Sequence, residues 1–536
     1  MQISRRWSAL ACCLVLAVVH TWPLILAPGT HSRNDNADTQ LNTWIMAWVA
    51  HQLPRNPAGL FEANIFYPAH DVLAFSEPLI LPALLGAPMA WAGASPVLVY
   101  NLIVLAGFTL SAFAMCLVVE RWTGSLAAGL VAGSIFAFNT HTLHRLPHMQ
   151  ALHLYGLPVA LYALDHLVRA PSYRWGLLLA TAMAAMAYTS GYLLVFACLM
   201  TAVVIAVRAR DWWPVRRRAA VAIAVAMVVT GLAILPVYLP YRRVAADQHM
   251  VRSLASVAEY SATPWSYLAT TSRVHFWWGG GLVRDAVDSF FPGFVAIGLV
   301  VVAIVFAARA RSAGDTLLRR RLWMLVAIAL TGVVLSLGTL TPIYGVVFHL
   351  FPPMQGLRAA ARFANLYLMA VAILAGFGAA RLGRPWLGAL LVIAVNAESI
   401  HAPMKYVPFR GIPEVYSMLA DEPGPVVLAE QPFFPRWAVF QNGGYVLAST
   451  AHWRPLMNGY SGYTPESYQK YAEAFWYFPR PWAIDAMKKA GVTHVMVHTQ
   501  GFHQDREPVL PILEKRGDFA LIGIGPNGVR LYRLMP

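Results

Sequence analysis

The sequence predicts a polytopic α-helical membrane protein, with about 11 transmembrane helices of roughly 20 residues each and a C-terminal α/β domain outside the membrane. Three observations predict it. Of 536 residues, 58% are hydrophobic and 12% charged, about half the charged share of soluble domains, and the mean hydropathy is +0.53. The apolar residues fall in runs of span length separated by short basic clusters. From residue 401 that pattern stops, charged residues return and apolar runs shrink to strand length.

The formal net charge is +15, from 40 Lys+Arg against 25 Asp+Glu. The basic residues sit between apolar runs, as in cytoplasmic loops, so nucleic acid is not an expected partner. The four cysteines, Cys12, Cys13, Cys116 and Cys198, lie inside apolar runs without metal-ligand spacing. They read as packing residues rather than a disulfide framework.

Taken in order, Arg5 and Arg6 precede an apolar run at 9–27. The run is long for a signal peptide and no small-x-small site ends it, so it reads as an uncleaved first helix with a cytoplasmic N-terminus. Residues 28–96 form the first external loop. Trp44, Trp48, Phe61, Phe66, Tyr67 and Phe75 suit helices lying at the membrane interface. The stretch 79–97 is apolar but broken by Pro82, Pro88, Gly93 and Pro96. Counting it as a span turns Arg169, Arg174 and the basic loops 208–218 and 319–321 outward, so it reads as juxtamembrane or re-entrant. Spans are then expected at 97–119, 125–138, 152–168, 176–187, 192–207, 219–236, 293–308, 322–337, 363–380 and 386–395. Inner loops fall at 169–174, 208–218, 309–321 and 381–384, and a long external loop at 237–292. The division is a membrane domain at 1–400 and a soluble domain at 401–536. The latter has strand candidates at 425–429, 493–497, 520–523 and 529–532 and a helix at 483–490. Asp165 and His166 lie near an inner helix end, and no role is read for them.

Five constellations are candidates for chemistry. The first is Asn34-Asp35-Asn36-Ala37-Asp38-Thr39-Gln40-Leu41-Asn42-Thr43-Trp44. An acid just outside a helix serves as a general base if its position and pKa suit. Most loop acids are merely solvated, but this loop is dense in amides and runs into a Trp-rich amphipathic stretch that fixes it against the membrane. The second is His141, His144, Arg145, His148 and Gln150. His144 and His148 have i, i+4 spacing, but Pro147 interrupts any helix and no Glu completes a zinc motif. A hydrogen-bonding wall for sugar or phosphate is favoured over metal, against plain interfacial polarity. The third is Arg358 and Arg362, with His349 and Gly356 nearby, at the outer mouth of a span and against the positive-inside trend. Two guanidiniums on one helix face at its N-terminus suit phosphate, against the alternative of snorkelling to headgroups. The fourth is the aromatic and arginine content of 237–292, including Tyr260 and Trp265. The fifth is the loop 452–463, with Asn458, Gly459 and Tyr460. No Walker loop, dinucleotide fingerprint, His-Glu-x-x-His or Gly-x-Ser-x-Gly occurs.

With these residues in place, the chain resembles the GT-C superfamily of bacterial membrane glycosyltransferases, and within it a group of polytopic proteins. Asp38-Thr39-Gln40-Leu41-Asn42-Thr43-Trp44 matches the first-loop pattern. Asn64-Ile65-Phe66-Tyr67-Pro68 and Ala74-Phe75-Ser76-Glu77 match its continuation. His144, His148 and Gln150 fall in the second external loop, Gly356-Leu357-Arg358 with Arg362-Phe363 matches a later motif, and Asn458-Gly459-Tyr460 one of the soluble part. The resemblance covers essentially the whole chain through short motifs in a characteristic order. It implies an inner-membrane enzyme moving sugar from a polyprenyl-phosphate donor to a glycan, lipid or protein acceptor on the extracytoplasmic face, with inversion. It implies Asp38 as the base and Arg358 and Arg362 on the donor phosphate. Asp35, Asn42, Glu77, His144, His148, Gln150, Asn458 and Tyr460 complete the expected substrate-binding set. Metal-dependent members carry Asp-x-Asp or Asp-x-Glu in the second loop. Histidines stand there in this chain, which argues against a required divalent metal, and no other cofactor is expected. Two other classes fit the same scaffold: a lipid or glycolipid transporter, with functional polar groups inside the spans, and a non-catalytic envelope-assembly protein.

Overall fold

A computed structural model describes residues 2–285, 288–309, 313–502 and 509–535. Parts of the expected loops at 309–321 and 237–292, residues 310–312 and 286–287, lie outside the described residues. The chain forms two compact units, 1–27 with 101–237 and 250–405, and 28–100 with 238–249 and 406–536. Instead of one cut near 400, the first loop and a short piece of the long loop join the C-terminal part.

The first unit is helical. Each segment expected to span carries a helix, among them Leu126–Ala137, Gly156–Arg169, Gly191–Val207, Phe294–Arg309 and Ala364–Arg381. Among the described residues, four stretches, Pro96–Thr123, Met149–Arg169, Ala209–Asp247 and Ala360–Arg381, are long and apolar enough to cross a membrane, and shorter apolar helices accompany them. The chain is a multi-pass membrane protein. Small residues let these helices approach closely: a Cβ on Gly133 would meet the Ala112 carbonyl, and one on Gly378 the Leu299 carbonyl. The helix Arg216–Asp247 runs well past the expected end of its span at 236. The helix at Ile80–Trp91 has 12 residues, too few to cross a bilayer.

Asp165 now has a place. It is fully buried in the helix Gly156–Arg169 and accepts from Arg208 Nη1 at 2.7 Å, Arg321 Nη2 at 2.8 Å and Arg169 Nη2 at 3.3 Å. Asp211 pairs with Arg208 and Arg320. One carboxylate thus ties together the ends of three helices whose intervening loops are basic.

The second unit is built on a four-stranded sheet. Its strands follow the two-residue strands His31–Ser32 (β1) and Val407–Pro408 (β2), which pair antiparallel. Leu428–Gln431 (β3), His494–His498 (β4), Phe519–Ile524 (β5) and Val529–Leu534 (β6) lie in the order β3-β4-β6-β5. β3 and β4 are parallel and the other pairs antiparallel. The parallel pair is joined through the helices Glu466–Phe475 and Pro481–Lys489. Short apolar runs of strand length made these strands legible, and each falls on or beside its expected position.

The loop after β3 binds the first-loop segment edge to edge. Phe66 N–H donates to Asn458 O at 3.1 Å, Tyr67 N–H to Leu456 O at 3.0 Å and Leu456 N–H to Asn64 O at 2.7 Å. Gly459 is required there because a Cβ would meet the Phe66 ring at 2.5 Å. The motifs at 64–68 and 458–460 are therefore one structural element.

Removing Asp165 would take the carboxylate from the buried Arg321 and leave Arg208 with Asp211 alone, a change of the kind that costs about 3–5 kcal/mol. Asp165→Ala is expected to lower the thermal unfolding temperature in detergent markedly, and Arg169→Gln, at a side chain 29% exposed, to do so less. Equal melting of both variants and wild type would contradict the stapling role.

Candidate active-site residues

Asp38 stands at the second position of the helix Ala37–Gln52. Asn36 caps that helix, its side-chain oxygen accepting from Asp38 N–H at 2.9 Å. A helix N-terminus favours negative charge. The half-buried carboxylate also accepts from Tyr460 Oη at 2.7 Å. The acid and the tyrosine were expected in one site, and the structure joins them directly. Asn42 is buried one turn further along the helix. Gly443, at the start of the helix Gly443–Ala448, lies against Ala37 and Gln40.

The first-loop aromatics are not interfacial anchors as expected. Trp44 and Trp48 are 1% and 5% exposed, and their indole N–H groups donate to Asn64 Oδ1 at 3.3 Å and Leu60 O at 2.9 Å. Once a polar partner is available inside, burying the ring gains apolar contact without stranding the N–H. These rings hold the Asp38 helix from within the protein.

The other acids differ in role. Asp35 is exposed and meets Arg33 Nε at 3.2 Å. Asp71 takes a bidentate pair from Arg243 at 2.7 and 2.8 Å. Glu77 follows Ser76, whose carbonyl accepts from Tyr241 Oη. Asn458 departs from its expected role. It is fully buried, accepts from Glu430 N–H at 2.7 Å and donates to Glu430 O at 3.0 Å. Its amide is spent on β3, which makes it a positioning residue for Tyr460.

In the helical unit, the helix at Thr140–Leu143 ends before His144, because Pro147 lacks the N–H to continue it. His144 and His148 therefore do not form the i, i+4 pair. His144 Nε2 bonds the Thr271 hydroxyl, which also meets His401 Nε2 at 3.0 Å. Burial, then His144, lowers the His401 pKa to about 4. Gln150 is buried, with its side-chain oxygen unpartnered among the described residues.

Arg358 and Arg362 do not share a helix face. Arg358 precedes the short 3-10 turn Ala360–Phe363 that contains Arg362, and the α-helix starts at Ala364. Each guanidinium lies over a ring instead, Arg358 over Tyr260 at 4.8 Å and Arg362 over Tyr192 at 4.4 Å. The Tyr192 hydroxyl accepts from Arg358 N–H at 3.1 Å and Ala359 N–H at 2.9 Å. Arg145 is buried and lies 3.6 Å from Asp288. Burial, then Arg362, lowers its pKa to about 10. Burial raises Asp288 to about 6 against the opposing pull of Arg145. Arginine thus exceeds acid around this turn, a composition suited to an anion.

Structural comparison gives the arabinofuranosyltransferase AftD from mycobacteria at a TM-score of 0.60 and 15% identity, over 99% of this chain and 40% of that one. The chain has the GT-C fold. The R1389S mutant of AftD gives a TM-score of 0.59 at 14% identity, over 99% of this chain and 42% of that one. The chain thus spans well under half the length of AftD. The oligosaccharyltransferase AglB from Archaeoglobus fulgidus, in complex with an inhibitory peptide and a dolichol-phosphate, gives a TM-score of 0.45 at 12% identity, over 98% of this chain and 74% of that one. No protein-family model matches the chain, and no curated protein does.

On this GT-C fold, sequence reasoning missed Tyr192, Thr271, Asp288 and His401. Tyr192 opens an apolar run expected to span, with nothing beside it to mark a site. The others gain meaning only from partners more than a hundred residues away, such as Asp288 from Arg145.

Asp288 has a folded pKa near 6, above an unfolded value of about 3.9. Between these values the folded chain binds the proton more tightly, so stability falls as pH rises through 6. Asp288→Asn is expected to stabilise the protein by roughly 2–3 kcal/mol at pH 8 and to match wild type near pH 4. Melting curves at the two pH values check this, and equal shifts at both would refute it.

Proposed function

We propose that this protein is a membrane glycosyltransferase that moves a sugar from a polyprenyl-phosphate donor to an acceptor hydroxyl on the extracytoplasmic face. In this reading the N-terminus is cytoplasmic, and the Asp38 segment and the sheet domain are extracytoplasmic. The observation that carries it is Asp38, half-buried at a capped helix start and held by Tyr460 from the far end of the chain. An acid held in place by a tyrosine hydroxyl at a helix N-terminus is suited to general-base work.

The acceptor oxygen attacks the anomeric carbon as its proton passes to Asp38. The carbon–oxygen bond to phosphate breaks, and polyprenyl phosphate leaves as an anion. A single displacement inverts the anomeric centre. Arg358 and Arg362 hold the departing phosphate, with Tyr260 and Tyr192 fixing the guanidinium planes. His144 and Gln150 offer hydrogen bonds to the donor, and His148 lines the same loop. The buried acid of the helix Gly156–Arg169, Asp165, is saturated by arginines. That favours surface chemistry over transport.

The test is transfer of labelled sugar from a panel of polyprenyl-phosphate donors in reconstituted membranes. Asp38→Asn is expected to lower turnover by about 10²–10⁴-fold with donor binding kept. Arg362→Gln is expected to weaken donor binding by about tenfold. Wild-type turnover in Asp38→Asn would remove the base assignment, and no turnover with any donor would remove the activity.

A further inference from the structure

The unit that carries Asp38 also holds a half-open cavity of about 650 Å³, within the range of roughly 300–1,000 Å³ typical of small-molecule sites. Ala47 and Ala50 of the helix Ala37–Gln52 form one wall, and Gly86 and Ala90 of the helix Ile80–Trp91 the other. Small residues leave a slot between the two helices. Trp453 closes one end, its ring stacked on His51 at 4.4 Å and its backbone in the left-handed region at φ 57°. A bulky residue held there is strained, so the surrounding structure fixes it.

The mouth carries one cation. Arg55 is exposed, and its Nη1 donates to His51 O at 2.6 Å, which orients the guanidinium beside the opening. Burial, then Arg55, lowers His51 to about 4, so His51 is neutral near pH 7. No acid is among the lining residues. The apolar surface continues outward over Leu84, Leu85 and Trp91, all exposed. It runs on to Pro96 and Val99, which line the cavity at the start of the helix Pro96–Thr123. That helix is long and apolar enough to cross a membrane.

We infer that this cavity binds an anionic glycerophospholipid, one acyl chain lying between the two helices and the phosphate meeting Arg55. The slot is more apolar than polar, continuous with exposed apolar side chains and charged only at its rim, which complements an anionic amphiphile. The inference does not depend on the proposed transfer reaction.

The full-length protein is reconstituted in nanodiscs of equal phosphatidylglycerol and phosphatidylcholine, extracted in mild detergent, and its retained lipid counted by native mass spectrometry. Wild type is expected to retain phosphatidylglycerol preferentially. Arg55→Gln, at an exposed position, should lower that preference about fivefold, and Ala90→Phe should reduce retention of either lipid. Equal retention of the two lipids by wild type would overturn the inference. So would unchanged preference in a well-folded Arg55→Gln, or displacement of phosphatidylglycerol by equimolar polyprenyl phosphate.

Discussion

The hydrogen bond from Tyr460 to Asp38 joins residues 422 positions apart, and much of the second unit serves to make it possible. Tyr460 stands where it does because Asn458 is clamped to β3 through both sides of its amide. Gly459 allows the Phe66 ring to lie against the backbone, and the first-loop segment completes the edge of the same loop. On the other side, Trp44 and Trp48 fix the Asp38 helix by burying their rings while satisfying their N–H groups. Removing any of these supports would move one partner of a contact only 2.7 Å long, and a hydrogen bond weakens steeply with lost geometry.

The same economy of polar groups governs the helical unit. A carboxylate as deeply buried as Asp165 is tolerable only because three arginines satisfy it. Arg358 and Arg362 are treated in the opposite way. Their planes rest on tyrosine rings, which orient a guanidinium without neutralising it. One group of arginines is paired with buried carboxylates, and the other lies against tyrosine rings.

Legibility in the sequence followed periodicity and composition. The long apolar runs gave the helices, the return of charge near 401 gave the sheet domain, and apolar runs of strand length gave β3 to β6. The first loop was placed with the membrane domain because it is close to the spans in sequence. Its backbone bonds to 456–458 depend on a long-range pairing that no local pattern encodes. Asp38 and Tyr460 were each marked by a short motif, but not their contact. Arg358 and Arg362 show the limit of spacing arguments: i, i+4 reads as one face only if the helix has begun, and here it begins at Ala364. Tyr192 and Asp288 carried no local signal, since their roles arise from what folds against them.

The most direct test of the account is the pH dependence of sugar transfer in wild type and Tyr460→Phe. A hydrogen bond to the ionised form favours it, and such a bond contributes about 0.5–1.5 kcal/mol, or up to about one pKa unit. If Asp38 is the base that Tyr460 supports, the acidic limb of the turnover profile moves to higher pH in Tyr460→Phe by that amount, with the plateau largely kept. An acidic limb at the same pH in both proteins would contradict the account.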